Sequence, residues 1–192
     1  MHVMLVDESR KRAAFLERAL QDAGYRVVSY AAAGDDLSAH VREHQPDVII
    51  IDTDSPDRDT LEHLCCISRD QPRPVVIFTH DEDKDKIRAA MQAGVSAYVV
   101  RGLASERIKP IIDVAIARFR EYQVLKQDLE KASSSLAERK LIERAKGIIM
   151  KQRACTEDEA YRALRKLAMD RGKRLPEVAQ IIVAAEELLL SA

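Results

Sequence analysis

Asp7 and Glu8 stand side by side after the apolar run His2–Val6, Asp52 follows the run Val48–Ile51, Thr79 follows Val75–Phe78, and Arg101 follows Ala97–Val100. If these runs are parallel strands of one sheet, their carboxyl ends converge and deliver all of these side chains to a single pocket. Two or three carboxylates gathered there repel one another unless a divalent cation joins them, and an all-oxygen donor set suits Mg²⁺. A carboxylate beside Mg²⁺ can accept a phosphoryl group as an aspartyl phosphate. No nucleophile, base and orienter can be read as a set, and neither GxxxxGK[ST] nor GxGxxG occurs. An independent enzyme is therefore not expected.

The elements that must hold these residues follow a regular alternation. Five apolar runs of four or five residues, the four above and Val27–Tyr30, are separated by amphipathic helical stretches. That is the pattern of a parallel sheet covered by helices, so the expected fold is an α/β, doubly wound, flavodoxin-like domain of five strands. Helices are expected over Glu8–Ala23, Leu37–His44, Leu61–Arg69 and Asp83–Ala93, the first and last closed by Gly24 and Gly94. From Ile108 to about Cys155 no convincing break interrupts the pattern, although Ser133–Ser135 lowers helix propensity. Along this stretch Tyr122, Leu125, Leu129, Ala132 and Leu136 recur at spacings of 3 and 4, which predicts a short coiled-coil seam and hence a homodimer.

The first part of the chain resembles a response-regulator receiver over residues 1 to about 120. The likeness rests on MLVDES, on IIIDTDSP with Asp52 four residues before Pro56, on VVIFTH and on AYVVRGL. By that resemblance Asp52 is the phosphoacceptor, while Glu8, Asp52 and the Asp54 carbonyl hold Mg²⁺ with Asp7 as an outer ligand. Thr79 supplies the hydroxyl that follows the phosphate, and Tyr98 occupies the aromatic switch position. The chain departs from the pattern where receivers carry lysine and proline and it has Arg101 and Gly102, and His80 replaces a small residue. A guanidinium is planar and forked, not a compact ammonium. Two readings stay open: a phosphorylated receiver, and a pseudo-receiver that keeps its acidic residues for folding or for a partner.

The other end is built differently. Residues 139–174 hold 12 Lys/Arg against 5 Asp/Glu, within a chain whose net charge is only −1. Such a basic end can meet nucleic acid, while the acidic remainder cannot. Thr156 and Glu159 form a capping box that opens a helix ending near Arg171-Gly172, and Leu175-Pro176 starts another. Together with the end of the long helix this makes a small three-helix module. Gly147 lies mid-helix, where glycine costs about 1 kcal/mol against alanine, so close packing or close ligand approach should account for it, and close packing within the three-helix module is the expected task. Arg139, Arg144, Lys146, Arg162, Arg165 and Lys173 are the cations expected to track a phosphate backbone. Tyr161, at helical spacing from Leu164, is expected to be core rather than a stacking platform.

Arg139, Ile142, Ala145-Lys146-Gly147, Met150, Ala160, Leu164-Arg165, Ala168-Met169, Lys173, Leu175 and Val178-Ala179 resemble the ANTAR domain, the RNA-binding module of AmiR- and NasT-like antiterminators. The resemblance implies binding to leader-RNA hairpins. The stretch SAYVVRGLASERIKPIIDVAIARFREYQ that leads into the module resembles the NasT-like antiterminators in particular, which implies control of nitrate or nitrite assimilation, with a nitrate/nitrite sensor protein or a histidine kinase as partner. The expected organisation is thus a receiver-like domain over 1–120, a coiled-coil linker helix over 121–137 and the ANTAR module over 138–192. Two rivals are a phosphorylation-controlled regulator that binds DNA and a protein-interaction module that binds no nucleic acid.

Composition agrees with a cytoplasmic protein without a membrane span. Hydrophobic residues make up 46% and charged residues 33% of the 192, and no run of about 18 apolar residues exists. Cys65, Cys66 and Cys155 form no zinc spacing, and His40, His44 and His63 show no regular ligand spacing. Reduced thiols and solvated or packed histidines are the expectation.

Overall fold

In the computed structural model, residues 1–7, 10–32, 34–101 and 104–190 are described. Their elements run β1 (His2–Asp7), α1 (Arg10–Asp22), β2 (Arg26–Ala31), α2 (Leu37–His44), β3 (Val48–Thr53), α3 (Arg58–Asp70), β4 (Val75–Thr79), α4 (Lys84–Gln92), β5 (Ala97–Val100), α5 (Ser105–Arg153), α6 (Glu157–Asp170) and α7 (Leu175–Leu190). The chain packs as two units, Met1–Gln123 and Val124–Ala192, with α5 contributing to both.

The first unit is the expected parallel sheet, in the order β2-β1-β3-β4-β5. Alternation along its strands explains why they read as unbroken apolar runs. Met4, Val6, Ile49 and Ile51 pack toward α2, α3 and α4 through Val41, Leu64 and Ala90. Val3, Leu5, Val48 and Ile50 pack toward α1 and α5 through Leu16, Leu20, Ile108 and Ile112. Both faces of a parallel sheet are covered, so both phases of the alternation must be apolar.

Local signals set the helix starts. Asp57 caps α3 by accepting from the Thr60 N–H, and Asp83 caps α4 by accepting from Asp85 and Lys86 N–H. Helix α3 accordingly begins at Arg58, three residues before the start expected from the apolar pattern. Gly94 ends the turn after α4 with φ +96°, and a Cβ there would collide with the Ser68 side chain, so no other residue fits without a shift.

The second unit is a three-helix cluster. Ala145, Ile148 and Ile149 of α5 pack against Ala160, Leu164 and Ala168 of α6 and against Val178, Ala179 and Val183 of α7. The capping box is formed: Thr156 Oγ1 accepts from the Glu159 N–H, while the Glu159 carboxylate accepts from the Thr156 N–H at 2.9 Å. No described helix is long and apolar enough to cross a membrane.

Candidate functional site

The strand register builds the first site. Asp7 of β1 is the direct partner of Asp52 of β3, and Thr53 is the partner of Thr79 of β4, so these residues sit at neighbouring carboxyl ends as topology requires. The Asp52 side chain is only 10% exposed. Its Oδ2 is buried and takes no hydrogen bond among the described residues. Burial first, and then the nearby Asp7 charge, push the Asp52 carboxyl above its ordinary range; Arg12 and His80 pull it back.

Among the described residues, the cation at this pocket is not the expected one. Arg12, in the first turns of α1, places Nη1 at 2.6 Å from Asp54 Oδ1, with Nε 3.7 Å from Asp7 and 3.9 Å from Asp52. The Asp54 hydrogen bond is the largest of the influences that hold this guanidinium in its charged form. Arg101, expected in the pocket, instead has φ 51° and a side chain 71% exposed, paired with Glu82 at 2.8 Å. The left-handed backbone there and the carboxylate offered by the β4–α4 loop draw it outward. The sequence places Arg10, Lys11 and Arg12 together at the start of α1, and helical side chains lean toward the helix N-terminus, but that Arg12 meets the pocket depends on how α1 is turned over β1.

Thr79 is buried; its hydroxyl donates to the Asp54 carbonyl at 2.8 Å and accepts from the Asp81 N–H at 3.2 Å. Tyr98 donates to the Asp81 carbonyl at 3.3 Å and packs partly buried on the core. Sequence reasoning also missed Lys86, whose ammonium donates to Asp81 at 2.7 Å and to Ser55 at 2.6 Å. Lys86, then Ser55, holds the Asp81 carboxyl well below the usual carboxylate range. These bonds tie the loop after β3 to the loop after β4.

Mg²⁺ fits what is present, since a buried carboxylate oxygen without a donor lies beside a second carboxylate and the donors are hard oxygens. Among the described residues, no three Asp, Glu, His or Cys side chains converge as a metal site. Glu8, the third expected ligand, and Gly102 lie outside the described residues.

The second site is the basic module. Arg139, Arg162, Arg165 and Lys173 are exposed and make no ion pair among the described residues. Arg144 is exposed and paired with Glu187 at 2.8 Å. Lys146 departs from expectation: its side chain is 9% exposed and its ammonium lies 2.8 Å from Glu143 and 2.6 Å from Glu157. It clamps α5 to the start of α6 and is not a free cation. Tyr161, expected in the core, is 42% exposed. The buried stripe of α6 is Ala160, Leu164 and Ala168, which leaves the neighbouring position outside it.

Gly147 also corrects its expected role. A Cβ at Gly147 meets nothing within 4 Å, so helix packing does not require it; Ala145, fully buried, is the packing residue. Lys140, Arg144, Gly147 and Lys151 instead form an exposed strip at spacings of 4, 3 and 4 along α5, the spacing of one helix face.

A 2-1-3-4-5 parallel sheet with paired carboxylates, a buried threonine and a partly buried tyrosine at its carboxyl edge defines a receiver. The response regulator receiver domain matches residues 3–113, and the ANTAR domain matches residues 130–183. The chain belongs to the response regulators that join a receiver domain to an ANTAR domain. The transcriptional regulatory protein PdtaR of Mycobacterium tuberculosis is 32% identical over 168 residues, covering 88% of this chain and 82% of that protein. The nitrate regulatory protein of Klebsiella oxytoca is 35% identical over 80 residues, 42% of this chain and 20% of that protein. A CheY-like receiver domain protein from Methanospirillum hungatei shares the receiver fold, with TM-score 0.55 at 19% identity over 63% of this chain and 97% of that one.

Proposed function

We propose that the chain is a transcription antitermination regulator in which residues 138–192 bind leader-RNA hairpins, residues 121–137 pair two copies, and residues 1–120 receive a signal from a sensor partner. The observation that carries this reading is the exposed basic face of the ANTAR module. Arg139, Arg162, Arg165 and Lys173 stand exposed and without ion pairs among the described residues, and the Lys140–Lys151 strip lets a ligand come close to the backbone at Gly147. Unpaired cations of this kind neutralise phosphates, and exposed Tyr161 offers an aromatic face to an unstacked loop base. The finer assignment, control of nitrate or nitrite assimilation through a nitrate/nitrite sensor protein or a histidine kinase, draws on the 80-residue alignment, 35% identical, with the Klebsiella nitrate regulator.

In the receiver, Asp52 is the proposed phosphoacceptor, and Asp7, Asp52 and the Asp54 carbonyl, with Glu8, would hold Mg²⁺. Bound Mg²⁺ supplies neutralisation of the charge that a phosphoryl group brings to a buried carboxylate. Thr79 holds the Asp54 carbonyl, and Tyr98 holds the Asp81 carbonyl in the next loop. The proposed switch consists of those two hydroxyls changing partners when the pocket gains charge.

Anisotropy titrations of labelled leader-RNA hairpins and promoter duplexes across a salt series test the RNA assignment. Hairpins are expected to bind more tightly, and Arg165→Ala to lower the salt slope by about 1. Lys146→Ala should loosen the helix pair without lowering the slope, because its charge is already engaged. Tighter duplex binding would move the reading to a DNA-binding regulator, and binding of neither to a protein-interaction module.

A further inference from the structure

The geometry points to Arg12 as a built-in cation of the acidic pocket, one that occupies the place of positive charge there and must leave when a divalent ion enters. This inference rests on the receiver reading of the pocket and holds whether or not the second unit binds RNA.

Three features of the contact support it. First, the hold on the guanidinium is loose at its inner side. Only the bond to Asp54, at 2.6 Å, is a hydrogen bond; toward Asp7 and Asp52 the distances are 3.7 and 3.9 Å. Arg12 Nε and Asp52 Oδ2 are both buried and without hydrogen-bond partners among the described residues. The arrangement therefore neutralises charge without saturating the Asp52 carboxylate, whereas a small cation ligated at about 2.1 Å does both.

Second, the anchor is outside the pocket. The Asp54 side chain is 75% exposed, and that of Arg12 is 32% exposed, so the arginine can swing toward water without moving the sheet. Third, this position belongs to Arg12 and not to Arg101. Arg12 is among the charges acting on Asp52, while Arg101 is engaged with Glu82. Two cations in so small a space repel strongly, so ion entry and Arg12 exit are one event. The same event frees Asp54, whose carbonyl already receives the Thr79 hydroxyl.

Calorimetric titration of the full chain with MgCl₂, repeated with MnCl₂, separates this from a passive ion pair. Arg12→Gln is expected to tighten divalent binding by at least about tenfold, the least that removing a unit charge about 4 Å away should produce. Asp54→Asn is the sharper arm and stays informative if the first variant does not fold. Its carboxylate is not among the proposed ligands, so releasing Arg12 should tighten binding, whereas a carboxylate that only adds negative field would weaken binding when removed. Tightening in Asp54→Asn, with tightening in every folded Arg12→Gln sample, supports the proposal. Unchanged or weaker binding in either variant overturns it.

Discussion

Single residues in this protein divide into those engaged in structure and those left exposed, and charge alone does not tell them apart. Lys146 and Arg165 are both basic and both within the ANTAR match, yet the first is clamped between two carboxylates and the second is exposed. Gly147 is the sharper case. With open space around its Cβ position, Gly147→Ala should stabilise the helix by about 1 kcal/mol in urea unfolding. The same variant should weaken hairpin-RNA binding, because a methyl group then stands on the strip that a backbone must approach. A stability gain with unchanged RNA affinity would remove the ligand explanation for the glycine.

Among the elements, five strands, the long α5 and the capped α6 were legible in the amino-acid sequence, because each carries a signal within its own span. The doubly covered sheet turns every strand into an apolar run, and the Thr156–Glu159 box marks a helix start by itself. What could not be read depended on how one element is turned against another. Arg12 lies in the pocket because of the rotation of α1 over β1, and Lys146 is engaged because Glu157 faces it across the turn between α5 and α6. Tyr161 was misplaced by a single position on α6, since a spacing of three to Leu164 does not distinguish the edge of a stripe from its centre. The α6 start also sets a pH dependence. Glu159 is held below its ordinary value of 4.5, chiefly by accepting the Thr156 backbone N–H, and Glu157 is held low by Lys146. A carboxyl depressed in the folded state adds stability that is complete above its unfolded value and is lost as pH falls through its folded value. The urea midpoint of the second unit should therefore drop as pH falls below the ordinary carboxyl value of 4.5, and Glu159→Gln should flatten that drop. Thr156→Ala should cost about 1 kcal/mol at neutral pH.

On the scale of the whole molecule, an acidic receiver and a basic ANTAR module share one helix, and the part of α5 between their cores carries the apolar seam. Tyr122, Leu125, Leu129 and Leu136 are all more than half exposed, Leu129 at 71%. An apolar stripe of heptad spacing left in water is the mark of a helix awaiting a partner helix. Sedimentation of the full chain should show a dimer that Leu125→Lys with Leu129→Lys converts to monomer; a wild-type monomer at tens of micromolar, a concentration at which a stable dimer persists, would contradict the pairing. Two paired modules would then meet two RNA loops at once, and each module's modest affinity would be raised by its tether.

Hairpin-RNA reading by the ANTAR module is tested by offering the full chain a choice. Equal amounts of a hairpin-RNA library with randomised short loops and a duplex-DNA library of matched sequence are partitioned on the protein at physiological salt and sequenced. RNA hairpins with a recurring loop sequence are expected to be enriched, and the enrichment is expected to be lost in the Arg162→Ala, Arg165→Ala double variant. Enrichment of the duplexes, or hairpin enrichment indifferent to those two arginines, would contradict hairpin-RNA reading by the module.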